Sequence, residues 1–473
     1  MLPPPPPTDR QRVTAANSPG WKVGLALVSL ALSLLLWLNG LIDSLSRPSV
    51  GNALNRRQLE LTVLAQPSLK GPMRTLFAGG DPMKTLQQDL ERERSSAEES
   101  GRAIEPGLEL ELALLLQRQG QSAQAQPLLR SVAAGAGPEA QLAAQLLQTS
   151  SGQHSEDPEE LSLIALPGNG LLRLWSCEAI SHAGTARCNG AALSRRAAAQ
   201  LIAVSAIPVL LLVLGSAALL RELWLRWRGR ATETAPLQGP ALSGVDAVLL
   251  IAGGFVVVGE LLTPLLVGPL LASLLEALAI TSPLREGISV VSLYLALMAG
   301  PLLILALLLR GQGIASLQFR WAPPSRSLRS ALKGFLMVLP LVSLVGWLQG
   351  QLWDDAGGSN PLLELVLNSH NVPALACFGF TAVVLAPLFE ETIFRGALLP
   401  VAARKLGPVG GVLLSALIFA VAHLSLGELL PLLVLGIGLG WLRWSSGRLG
   451  SCVLMHALWN ALTFTNLVAL GWS

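Results

Sequence analysis

The stretch Phe389-Glu390-Glu391-Thr392-Ile393-Phe394-Arg395 sets two carboxylates and a guanidinium in an apolar run that begins near Val372 and reads as a membrane span. Ionisable groups at such depth cost kilocalories per mole and by default mark a working site. Two of the chain's five histidines lie downstream in further apolar segments. One ends Phe419-Ala-Val-Ala-His423, and the other opens His456-Ala-Leu-Trp-Asn460.

The rest of the chain agrees with a membrane setting. Its 473 residues are 51% hydrophobic and 13% charged, with a mean hydropathy of +0.54. Charge is about half the usual share, and apolar runs of spanning length recur. The expected fold is an all-α, multi-pass transmembrane bundle of about eight to nine spans, with a small helical extramembrane domain between the first two. A net charge of +3 in this setting gives no reason to expect nucleic acid as a partner.

Residues 1–22 form a Pro-rich, basic leader, expected to be disordered and cytoplasmic. Residues 23–43 read as a signal anchor rather than a cleaved signal, because the apolar core is long and no small-residue cleavage site follows. Residues 44–196 are the one large polar block. Helical periodicity marks Leu108–Arg118, Ala123–Ala133 and Glu139–Gln148, with breaks at Gly120-Gln121 and Gly135-Ala-Gly-Pro138. The run Leu112–Val132 resembles one tetratricopeptide hairpin, with Ala123 and Ala125 as small packing residues. The block could dock a protein partner, or be a solvated insertion.

Residues 197–353 supply accessory spans and 354–473 the catalytic part, although the core fold could begin near 245. The spans are expected at Ala197–Leu220, Ala247–Leu275, Gly287–Leu309 and Gly334–Trp353, then from Val372 onward. Basic loops (Arg221 to Arg230, Arg310 to Lys333) alternate with an acidic one (Asp354, Asp355, Glu364). By the positive-inside rule the N-terminus is cytoplasmic and residues 44–196 lie outside the plasma, inner or equivalent membrane. There a Cys177–Cys188 bridge is feasible, whereas Cys377 and Cys452 read as buried thiols. Glu260, a lone acid in the third span, could face the bundle interior and assist the site, but is expected rather to pair locally or lie near an interface.

Adjacent helix residues diverge by about 100°, so Glu390 and Glu391 point apart. Glu391 and Arg395 are four apart and face one another. They form the internal ion pair and leave Glu390 free to work. Gly407-Pro408 turns the chain, with Glu390 seventeen residues before Gly407 and His423 fifteen after Pro408. Counting at about 1.5 Å per residue sets the two at equal height. If Ala397–Lys405 protrudes as an amphipathic stretch, both lie roughly 10–15 Å below the cytoplasmic face. His456, eight residues past Arg448, reaches a similar depth, with Asn460 one turn on along the same face. The span near Leu429–Leu442 is short and is expected to tilt or enter part way.

A buried glutamate beside a histidine can activate water, and His456 with Asn460 can clamp an oxyanion. Glu390, His423 and His456 could instead hold zinc, although no HExxH motif is present. Taken singly, each feature has a plain structural reading: an ion pair, an interhelical histidine, an asparagine that glues helices. Their agreement in order and depth favours a site.

Glu390-Glu391-x-x-x-Arg395, Phe419-x-x-x-His423 and His456-x-x-x-Asn460 resemble the three motifs of the CPBP intramembrane proteases, the CAAX-protease/bacteriocin-processing or Abi family. Gly436-x-Gly438-x-Gly440 followed by Gly447-Arg448-Leu449 resembles the family's small-residue helix and short turn. The resemblance implies a helical membrane endopeptidase with a cavity open to the cytoplasm. Glu390 and His423 would activate water, while His456 and Asn460 would hold the tetrahedral intermediate, with Glu391 and Arg395 in support. A metal-free mechanism is favoured. Eukaryotic relatives trim prenylated CaaX proteins, so the substrate would be a membrane-associated or lipidated protein or peptide. The competing readings are a non-catalytic scaffold or chaperone of the same fold and a proton-coupled transporter. The transporter reading expects a second copy of the motifs in the other half, and none is found.

Overall fold

A computed structural model of the protein describes residues 18–45, 50–99, 101, 103–150, 170–180, 188–230, 236–352, 358 and 361–472. Among these every regular element is helical. Eight helices are long and apolar enough to cross a membrane. They are α1 (Gly20–Ser44), α9 (Gly190–Trp227), α10 (Gly244–Ala277), α11 (Leu284–Leu308), α12 (Pro324–Leu352), α14 (Val372–Val421), α15 (Leu426–Ser446) and α16 (Leu449–Gly471). The chain is an integral, multi-pass membrane protein. Residues 1–17 of the leader, and Asp354 and Asp355 of the acidic loop, lie outside the described residues.

The remaining helices are α2 (Val50–Ala65), α3 (Pro72–Ala78), α4 (Pro82–Glu99), α5 (Pro106–Arg118), α6 (Ser122–Ala133), α7 (Pro138–Ser150), α8 (Gly170–Ile180) and α13 (Pro361–Asn368). The chain divides into two compact units. One comprises Met1–Ser49, Leu210–Val366 and Asn371–Thr465, and the other Val50–Val209, Leu367–His370 and Asn466–Ser473.

In the polar unit α6 packs on both α5 and α7, with Gly120 (φ 78°) and Gly137 (φ 109°) in the two turns. Those left-handed positions suit glycine because a Cβ would strain them. Ala125, Leu128, Leu129 and Val132 form the inward face of α6. Ala123 lies off that face and is exposed, contrary to its expected packing role. Cys177 and Cys188 are joined in a disulfide that ties α8 to the start of α9. Arg118 pairs with Glu178 and stacks over Trp175, 5.3 Å from the ring centroid. Glu60 is buried and held by Arg57 at 3.1 Å. Glu111, also buried, shares a side-chain hydrogen bond with it, and burial first, then the Glu60 charge, pushes the Glu111 carboxyl well above its ordinary value.

In the other unit α1 is sewn onto α10. Ser33 donates to the Ala252 carbonyl at 3.1 Å and Trp37 Nε1 to Glu260 Oε2 at 3.0 Å. The partner of Glu260 is therefore an indole from the first span. α14 is broken at Gly407 (φ 73°, ψ 168°), the expected turn, so its two arms run as a hairpin. The stretch after Arg395 is not amphipathic as expected, since residues 391–402 are all buried. Ala397, Leu398 and Val401 join an apolar core with Leu242, Leu317 and Phe394, and only Arg404 and Lys405 emerge. α15 runs for 21 residues, or about 31 Å at 1.5 Å per residue, so it is longer than the expected Leu429–Leu442 and long enough to cross a bilayer core. Ser425 caps its start and Gly447 (φ 65°) ends it in the left-handed conformation, as helix C-termini commonly do.

Candidate active site

Each functional side chain is placed by the α14 hairpin and the two helices after it. Within α14 the turns at Thr381–Leu385 and Thr392–Leu398 are wide π-helical ones, flanking the short α-helical piece Ala386–Glu391. Such insertions are rare and concentrate at functional sites. They also correct the simple count. A Cβ on Gly411 would meet Ala403 at 2.8 Å, so four residues on each side of Gly407 face one another. Ser415, eight past Gly407, already bonds the carbonyl of Phe394, thirteen before it, at 3.0 Å. Wide turns consume more residues per unit height, and by this register Glu390 comes level with Phe419. His423 sits one turn beyond.

Glu391 and Arg395 form the expected ion pair, 3.1 Å apart and both fully buried. The remaining guanidinium contacts explain how a buried arginine is tolerated there. Nη2 donates to the Gly436 carbonyl at 3.2 Å, and the plane lies 4.3 Å from the Phe419 ring centroid. A Cβ on Gly436 would meet Ala416 at 3.0 Å, so glycine here lets α15 pack closely on the second arm of α14.

The same Glu391 Oε1 lies 3.0 Å from His456 Nδ1. A carboxylate only accepts, so Nδ1 carries the hydrogen and Nε2 is turned towards Glu390, whose Oε2 is 3.9 Å away. His423 shows the same polarity: its Nδ1 is 2.8 Å from the Phe419 carbonyl. A carbonyl cannot donate, so Nε2 of His423 keeps its lone pair in the neutral ring.

Glu390 is held at one oxygen only. Tyr294, from α11, donates its hydroxyl to Glu390 Oε1 at 3.2 Å, whereas Oε2 is buried with no hydrogen-bond partner among the described residues. Phe419 is the aromatic hub of the group. It lies edge-on to His423 at 4.7 Å and to His456 at 5.7 Å, centroid to centroid. Asn460 Nδ2 donates to the Ala382 carbonyl at 2.8 Å, which commits one of its two amide hydrogens to joining helices.

Glu390, Glu391, Arg395 and His456 thus form one contiguous polar group, with His423 joined to it through Phe419 and Asn460 one turn along α16. Among the described residues no three His, Cys, Asp or Glu side chains are grouped as ligands of one metal ion.

Sequence reasoning missed Tyr294, the bond between Glu391 and His456, and the hub role of Phe419. Tyr294 had a signal: it is the one tyrosine in the chain, and a phenol within an apolar span needs a polar partner.

Comparison with known proteins supports the motif reading. Residues 372–462 match the family described as Rce1-like, type II CAAX prenyl endopeptidase. Residues 51–199 match a domain of unknown function, DUF8675. No curated protein and no solved structure matches the chain. The matched segment holds the three motifs in order, from the Glu390-Glu391 pair to Asn460, so over residues 372–462 this membrane protein is similar to the type II CAAX prenyl endopeptidases.

Proposed function

We propose that the protein hydrolyses a peptide bond of a membrane-associated or lipidated protein, with water activated by Glu390 and His423. The observation that carries this reading is the asymmetry of Glu390. One oxygen is pinned by Tyr294, while the other is buried and unbonded, as a base awaiting a water proton needs to be.

In this mechanism Glu390 Oε2 takes a proton from water as its oxygen attacks the scissile carbonyl carbon. The His423 Nε2 lone pair accepts the water's second hydrogen and orients it. The resulting oxyanion takes the second Asn460 N–H and a hydrogen from His456 Nε2. His456 bears that hydrogen only as the imidazolium, because its Nδ1–H is directed to Glu391. Collapse of the intermediate breaks the C–N bond, and Glu390 returns its proton to the leaving amine. Donors fixed in advance in a water-poor site are the usual source of such stabilisation.

We place the N-terminus in the cytoplasm and residues 44–196 outside, in line with the basic loops and with the Cys177–Cys188 disulfide, which an oxidising compartment permits. The test is cleavage of prenylated or membrane-inserted peptides by the purified protein, with and without chelator, beside Glu390→Ala. Cleavage that survives chelation and vanishes in the variant supports the reading.

A further inference from the structure

We infer that Tyr294 is a positioning residue for the base: it fixes one oxygen of Glu390 so that the other is presented to water. The inference rests on the reading of Glu390 as that base. Tyr294 is carried by α11, outside the family-matched segment 372–462, so none of the three motifs predicts it.

The geometry is specific to a phenol. Its hydroxyl sits 3.2 Å from Glu390 Oε1, and its ring stands edge-on against Phe389, 6.2 Å between centroids at 87°. Phe389 is itself buried and directly precedes Glu390, so ring and carboxylate are braced by the same turn of helix. A glutamate side chain has a nearly free terminal torsion. Without a donor on Oε1 the carboxylate can rotate and exchange its two oxygens. With the donor, Oε1 is occupied and Oε2 stays directed to the His456 side of the site, 3.9 Å from Nε2. Holding a reacting group in one orientation lowers the barrier through orientation and entropy rather than through new substrate contacts. Removing the phenolic hydrogen should therefore act on kcat and leave substrate binding alone.

The experiment uses the full-length purified protein. Tyr294→Phe keeps the ring and removes the donor. The expected result is kcat lower by about ten-fold with KM changed less than about two-fold. The second measurement exploits the chain's single tyrosine. Protein grown with 3-fluorotyrosine carries its fluorine in this side chain alone, and the 19F resonance should shift in Glu390→Gln. An unchanged kcat in Tyr294→Phe, a KM that rises in step with the fall in kcat, or a 19F resonance indifferent to Glu390→Gln would each overturn the inference. The two readings fail separately. An active Glu390→Gln protein removes the base itself, whereas an inactive one beside a normal Tyr294→Phe removes only the positioning role.

Discussion

Nδ1 of His456 and Oε1 of Glu391 lie 3.0 Å apart, so the second glutamate of the pair orients a histidine as well as neutralising Arg395. Glu391 is fully buried between two nitrogen partners. Glu391→Ala leaves the Arg395 charge buried without its carboxylate, a loss of about 3–5 kcal/mol. Thermal unfolding in detergent should show a large fall in midpoint for this variant and little change for Glu390→Ala. Equal falls would remove the division of labour between the two.

Asn460 serves both as glue and as clamp. Asn460→Ala frees the Ala382 carbonyl, for which an interhelical bond in a membrane is worth about 0.6–1.7 kcal/mol. If the second amide hydrogen also meets the oxyanion, kcat should fall by about 100-fold or more, far beyond what the stability loss explains. Steady-state kinetics with a stability control separates the two effects. A small stability loss with unchanged kcat would assign Asn460 to packing alone.

Glu111 makes the polar unit sensitive to pH. Burial and then the neighbouring Glu60 raise its carboxyl well above the ordinary 4.5, so the folded state holds a proton that the unfolded chain releases. Stability from this group is full below the unfolded value and is lost as pH rises through the folded one. Amide hydrogen exchange in Pro106–Arg118 should accordingly be slower in mildly acidic than in mildly alkaline buffer, after correction for intrinsic rates. Glu111→Gln should flatten the difference. An unchanged pH dependence in the variant would contradict the assignment.

The disulfide offers a test of topology. Alkylation of the denatured, unreduced protein should modify two thiols, Cys377 and Cys452. Reduction should release the Cys177–Cys188 pair. In intact cells, a membrane-impermeant thiol reagent added from outside should label this pair after reduction. Labelling only from the cytoplasmic side would invert the proposed orientation.

The sequence carried the membrane class, the Glu391–Arg395 pair and the Gly407 turn because each follows from a local rule: hydropathy over a span, spacing on a helix, or a left-handed glycine. Equal height for Glu390 and His423 did not follow, because a count assumes one rise per residue and the π turns at 381–385 and 392–398 change it. Tyr294, Trp37 and the Ala382 carbonyl come from elements 96, 223 and 78 residues from their partners. Such contacts are set by how helices pack, which periodicity within one helix does not encode. Residue types alone gave His456 as an oxyanion donor. Its bond to Glu391 adds the condition that the ring be protonated on both nitrogens.

The central claim is tested most directly by the rate at which purified protein cleaves a prenylated CaaX-type or membrane-inserted peptide, read by mass spectrometry, for wild type and Glu390→Ala at matched folding. The expected result is specific cleavage by wild type, insensitive to chelator, and loss of cleavage by at least about three orders of magnitude in Glu390→Ala. Cleavage at the wild-type rate by Glu390→Ala would contradict it.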